Sequence, residues 1–101
     1  MEINKYTDDE KTVFQLDGRL NAATAPALET ELNLEFESSK KIILDLKNLI
    51  YVSSAGLRIL MVAGKTSKKT GIEFIITNVS SEIMKIFEMT MISSYLKVIQ
   101  E

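Results

Sequence analysis

The chain has 101 residues, 46% hydrophobic and 26% charged, an ordinary composition for one globular domain that buries a core without disulfides or metals. Twelve basic and fourteen acidic side chains leave a formal charge of −2, too balanced for nucleic-acid binding, and no polybasic segment offers itself to a lipid surface. With no cysteine and no histidine, the sequence lacks disulfides, thiolates, the commonest general base and the commonest metal ligand.

No Asp/Glu loop of a Ca²⁺- or Mg²⁺-binding kind is present, so neither a metal nor a cofactor is expected. Met1 to Tyr6 has no basic region followed by an apolar one, unlike a signal peptide. The longest apolar run, Ile59 to Ala63, is far short of the ~20 residues that cross a bilayer. The expectation is a soluble, cytoplasmic protein that works away from membranes.

In chain order, Ile3 to Tyr6 reads as a short edge strand and Thr7 to Glu10 as a polar turn. Thr12 to Asp17 is a strand with Val13, Phe14 and Leu16 as its apolar members, and Gly18 marks a bend or a close backbone approach at its end. A helix follows, with Thr24 as N-cap and Pro26 in the first turn, where a missing N–H costs little. Leu28, Leu32 and Phe36 recur at four-residue spacing on one face of it, and Ser38 and Ser39 end it. Ile42 to Leu46 is a nearly continuous apolar run, suited to a central strand buried on both faces, and Lys47 to Val52 continues as a partly extended connection.

A second helix is predicted from Ser53 or Ser54 to about Lys69, with Gly71 as its stop. Ile72 to Thr77 is another buried strand. Ser80 or Ser81 caps a third helix with Ile83, Ile86 and Phe87 on one side, and the tail ends in a short turn and an extended piece, Leu96 to Ile99. The order β, β, α, β, α, β, α and a short end suits an α/β fold: a mixed sheet, hairpin first, then parallel strands with right-handed crossover helices.

One segment stands out. At Asp45-Leu46 … Tyr51-Val52-Ser53-Ser54-Ala55-Gly56-Leu57 a buried strand leads into two serines, two small residues and an apolar helix. The unpaired N–H groups and positive dipole end of a helix start favour an anion such as a phosphate. Ala55 and Gly56 leave the first turn unobstructed, and Arg58 lies four residues after Ser54, on the same face. Serine is equally the preferred N-cap residue, so the residues alone leave both a modification site and a plain cap open.

Leu57, Leu60, Met61 and Gly64 form the face expected to pack on the sheet, while Ser54, Arg58, Val62 and Lys65 share another. Ile59 and Val62 fall off the core stripe, as a binding patch or as residues covered by a neighbouring helix. An enzyme built on Ser54 as nucleophile with Lys65 or Lys68 as base is the weakest reading, because lysine stays protonated near neutrality unless buried.

At these residues the sequence resembles a STAS domain of the anti-sigma-factor antagonist family. The resemblance extends to Leu16-Asp17-Gly18-Arg19-Leu20-Asn21 with Thr24-Ala25-Pro26-Ala27-Leu28, and to Ile86-Phe87 through Leu96-Lys97-Val98. It implies a mixed sheet with helices packed mainly on one face. It implies a partner, an anti-sigma factor that is itself a serine kinase, and a PP2C-type phosphatase that resets the protein. By position the phosphoacceptor is Ser54, with Ser53 as the alternative, and Asn21, Ser53, Ser54, Ala55, Gly56, Arg58, Val62 and Lys65 form the expected docking surface. Many antagonists carry Asp at the positions of Ser53 and Asn21, so two carboxylates of the family pattern are absent here. A STAS module that binds a signalling or transport partner without being phosphorylated is the other reading.

Overall fold

The computed structural model describes residues 1–38 and 40–100; Ser39, expected with Ser38 to end the first helix, lies outside the described residues. Along the chain run β1 (Glu2–Asp8), β2 (Lys11–Leu20), α1 (Ala25–Ser38), β3 (Lys41–Val52), α2 (Ser54–Thr70), β4 (Glu73–Thr77), α3 (Ser81–Met89), a 3₁₀ turn (Ile92–Tyr95) and β5 (Lys97–Ile99). The five strands form one sheet in the order β1-β2-β3-β4-β5. The β1–β2 hairpin is antiparallel and every later pairing is parallel, so the expected mixed α/β sheet is what forms.

Alternation along the strands decides where the core lies. Phe14 and Leu16 of β2, Ile42, Leu44 and Leu46 of β3, and Phe74 and Ile76 of β4 point to one face. There they meet Leu28, Leu32 and Phe36 of α1, Leu60 and Ala63 of α2, and Ile83 and Phe87 of α3 in a single buried cluster. The helices therefore pack on one face. The opposite face is covered less completely: Val13 and Ile75 are buried among their sheet neighbours, but Ile43 and Asp45 of β3 are only half-buried. β3 is thus not buried equally on both sides as its apolar run suggests, because the described helices pack on the face that carries Ile42, Leu44 and Leu46.

Several boundaries move for identifiable reasons. β1 runs on to Asp8, since Thr7 and Asp8 still pair with Thr12 and Lys11. β2 passes through Gly18 to Leu20, and β3 extends from the expected apolar run to Val52, because the ends of the two strands pair with each other. Register irregularities between Gln15 and Asp17 and between Gly18 and Arg19 absorb the mismatch, as bulges do.

The expected cap of α1 is also corrected. The Asn21 Oδ1, not the Thr24 hydroxyl, accepts the N–H groups of Ala23 and Thr24, at 3.0 and 3.1 Å. The Thr24 hydroxyl instead accepts from the Asn21 N–H (2.9 Å) and donates to the Arg19 carbonyl (2.8 Å). Pro26 has no N–H to give, so a cap at Thr24 would have lacked one of its usual donors.

α1 is fastened to the hairpin by a polar contact within the apolar layer. Glu35 is buried, accepts a hydrogen bond from the Thr12 hydroxyl at 2.8 Å and pairs with the Lys5 ammonium at 2.5 Å. The hydrogen bond to Glu35 holds the Lys5 pKa above its ordinary 10.5, aided by the charges of Glu35 and Glu31 and opposed by desolvation. A raised lysine pKa stabilises the fold fully below the unfolded value and loses that contribution as pH rises through the folded one. Lys5→Met is therefore expected to lower the urea midpoint at neutral pH. The gap to wild type should close as the solution is taken above pH 10.5, in parallel chemical denaturations across that range.

α2 sits closest of all. Its deeply buried positions are Gly56, Leu60, Ala63 and Gly64, whereas Leu57 and Met61, expected in the core face, are only half-buried. The helix is turned so that its smallest residues take the tightest contacts. A Cβ at Gly64 would collide with the backbone carbonyl oxygen of Tyr95 in the 3₁₀ turn. Alanine at an exposed helical site gains about 0.8–1.0 kcal/mol over glycine. Overpacking typically costs about 1–3 kcal/mol, and here the obstacle is backbone, which cannot rotate away. Gly64→Ala should accordingly destabilise the protein by roughly 1–2 kcal/mol net, read as a lower urea midpoint at unchanged slope.

Candidate functional site

The site forms where β2 and β3 end together. Leu20 pairs with Val52, and the next N–H, that of Ser53, donates to the Leu20 carbonyl at 2.8 Å. Ser53 thereby remains extended (φ −93°, ψ 175°) and becomes the N-cap of α2: its carbonyl accepts the Leu57 N–H at 2.9 Å and its hydroxyl oxygen accepts the Gly56 N–H at 3.3 Å. Gly56 itself faces inward. A Cβ there would lie 2.7 Å from Leu20 Cγ and 3.0 Å from the Leu20 carbonyl oxygen. The glycine in the first turn of α2 is thus a packing requirement, and Gly56 is buried.

These contacts give the two serines different tasks. Ser53 is half-buried and committed to the cap, while Ser54, the first residue of α2, is exposed. Ala55 is half-buried beside it and Arg58 is exposed one turn further along. Asn21 follows Leu20 and so stands next to Ser53 at the strand ends, but its side chain is engaged in starting α1. On the same rim Arg19 lies over the ring of Tyr51 (5.7 Å), and Ile50 and Tyr51 are exposed.

The outer face of α2 divides. Val62 is exposed beside α1, where Ile59, also off the core stripe, is half-buried in a crevice with Leu32 and Phe36. The neighbouring helix therefore covers Ile59 but not Val62. Lys65 is exposed, and its ammonium lies 5.2 Å from the Tyr95 ring centroid; that of Lys68 lies at 5.8 Å. Both lysines considered as bases for Ser54 thus project toward Tyr95.

The other flank of α2 opens onto a groove of about 480 Å³. Ser54, Leu57, Arg58 and Met61 line one wall, and Thr90 to Ile92 with Ser94 and Tyr95 line the other. Sequence reasoning did not find this second wall. Its one signal was Met91, just past α3, which is highly exposed and held in the left-handed region at φ 61°. Among the described residues no group of three or more carboxylates is placed to hold a metal ion. Among the same residues no helix is long and apolar enough to cross a membrane.

A strand-to-helix turn with a capping serine, an exposed serine and an inward glycine thus stands at the end of a mixed sheet with helices on one face. The STAS domain profile matches residues 2–101, and the chain belongs to the STAS-domain family of anti-sigma factor antagonists. It is 32% identical over 91 residues to BtrV of Bordetella bronchiseptica, named as an anti-sigma factor antagonist, covering 89% of this chain and 78% of that protein. It is 29% identical over 91 residues to the anti-sigma-B factor antagonist of Staphylococcus aureus, covering 89% and 84%. The fold superposes on the Bacillus anti-sigma factor antagonist SpoIIAA, solved in unphosphorylated and phosphorylated forms, with a TM-score of 0.80 at 14% identity, over 99% of this chain and 89% and 91% of those chains.

The two serines can be separated by stability alone. Ser53→Ala removes the side chain that accepts from Gly56 and should cost about 1 kcal/mol. Ser54→Ala alters an exposed position and should fall within about 0.5 kcal/mol of wild type in the same urea titrations.

Proposed function

We propose that this chain is a cytoplasmic anti-sigma factor antagonist that binds a serine-kinase anti-sigma factor and is released from it by phosphorylation of Ser54, a PP2C-type phosphatase restoring the free serine. The observation that carries the reading is the division of labour at the start of α2: Ser53 is tied into the cap and Ser54 is exposed at the first helical position. The names of BtrV and of the Staphylococcus aureus relative support the class of partner. The protein acts by binding and performs no chemistry itself. The kinase moves the γ-phosphoryl group of ATP to Ser54 Oγ, ADP leaves, and the hydroxyl proton passes to a base of the kinase.

Energetics indicate where such a switch acts. A phosphate at an exposed helix N-terminus is worth about 0.3–1 kcal/mol, too little to rearrange a folded domain. The modified and unmodified proteins therefore share one fold and differ at the surface. The added charge of roughly −1.5 to −2 and its three oxygens stand where the partner docks. The absence of the family's two carboxylates at Asn21 and Ser53 removes two negative charges from beside Ser54, which lowers the repulsion met by an incoming phosphate.

The test is phosphorylation by a serine-kinase anti-sigma factor with ATP, read by intact mass. Wild type and Ser53→Ala should gain one phosphate, Ser54→Ala none, and Ser54→Asp should bind the kinase at least tenfold more weakly. A Ser54→Ala protein phosphorylated to the wild-type level would overturn the assignment. A partner captured firmly and never phosphorylating the chain would favour the plain binding module.

A further inference from the structure

The groove beside Ser54 has a chemistry that the switch reading does not use. Its floor is apolar, formed by Leu57 and Met61 of α2 and Ile92 of the 3₁₀ turn, and no carboxylate is among the residues lining it. Arg58 stands on its near wall, one helical turn from Ser54. On the far wall Tyr95 collects the ammonium groups of Lys65 and Lys68. Met91, 74% exposed at the lip, offers an unbranched and adaptable apolar side chain of the kind that accommodates a protein segment. An apolar floor with a single guanidinium on its near wall complements a ligand that is itself apolar with an acidic flank.

We propose that this groove seats an acidic segment of the anti-sigma factor with an apolar anchor, that Arg58 pairs with its carboxylate, and that a phosphate on Ser54 expels the segment by taking Arg58 for itself. The inference rests on the proposed function and adds to it the element the partner presents and the residue over which partner and phosphate compete. Ser54 and Arg58 are spaced i and i+4, the separation at which helical side chains meet. A guanidinium binds phosphate through parallel hydrogen bonds, and the phosphate carries more charge than a carboxylate. The same modification removes the partner's counter-ion and sets a like charge against its acidic group. The switch then needs no movement of the backbone.

Two measurements test the parts separately. Phosphoserine is first installed at position 54 during translation, without any kinase, and its phosphorus resonance is followed against pH. The second ionisation, about 6 for a free phosphoserine, should fall at lower pH in the Arg58 protein than in Arg58→Gln. Coincident curves would overturn the pairing.

The second probe is the anti-sigma factor kinase used above, titrated without ATP against folded variants checked by circular dichroism. Met91→Glu and Arg58→Gln should each weaken binding at least tenfold, and Arg58→Gln should also flatten its dependence on salt. Leu34→Glu, at an exposed apolar site of α1, should bind as wild type does. Wild-type affinity in both groove variants would overturn the docking site while leaving phosphorylation of Ser54 intact. Groove variants that lose binding to a partner that never phosphorylates Ser54 would uphold the seat and overturn the switch.

Discussion

The contact on which the site depends is the approach of the first turn of α2 to the end of β2. Gly56 lies so close to Leu20 that a single methyl group would stand 2.7 Å from the Leu20 side chain and 3.0 Å from its carbonyl oxygen. The same carbonyl takes the N–H of Ser53, so the strand end holds the helix start both by packing and by a backbone hydrogen bond. With Ser53 held there, its side chain can only turn back to the helix as a cap, and the next residue is delivered outward. The exposure of Ser54 is thus set by a glycine two positions later and by a leucine far earlier in the chain.

The rest of the fold supports this contact by closing one side of the sheet. A single apolar cluster joins all three described α-helices to the face of the sheet that carries Phe14, Leu44 and Ile76. Small residues at the tight points, Gly56 against β2 and Gly64 against the 3₁₀ turn, bring α2 in so far that Leu57 and Met61 are left at the edge of the core. Those two side chains become the floor of a groove instead of its filling. Packing density and surface function are linked here: the glycines take the tight contacts with β2 and the 3₁₀ turn, and the larger side chains between them line the groove.

Electrostatics at the site are unusually plain. The serine that is exposed has a neutral cap on one side and an arginine one turn ahead, with lysines gathered on Tyr95 nearby. A helix terminus and a few surface charges supply energies small against the stability of a domain, so they can bias which partner is bound without disturbing the core. That separation between a rigid scaffold and a chargeable surface is what the proposed switch requires.

The order of strands and helices, the one-sided stripe on α1, the serine pairs that open α2 and α3 and the stop at Gly71 follow from local chemistry, which is why the sequence by itself determines them. Hydrophobic period, capping oxygens and a glycine free to take φ 80° act over a few residues. The Ser53-Ser54 segment was legible for the same reason, although either serine fitted the cap. Which of them caps, how far α2 is rotated and whether Ile59 or Val62 is covered were decided only in the tertiary structure. So was the wall of the groove formed by Thr90 to Tyr95, which lies some forty residues beyond Ser54 and meets it through packing alone. Such contacts leave no periodic signal, because they join surfaces brought together by the sheet and not by neighbours along the chain.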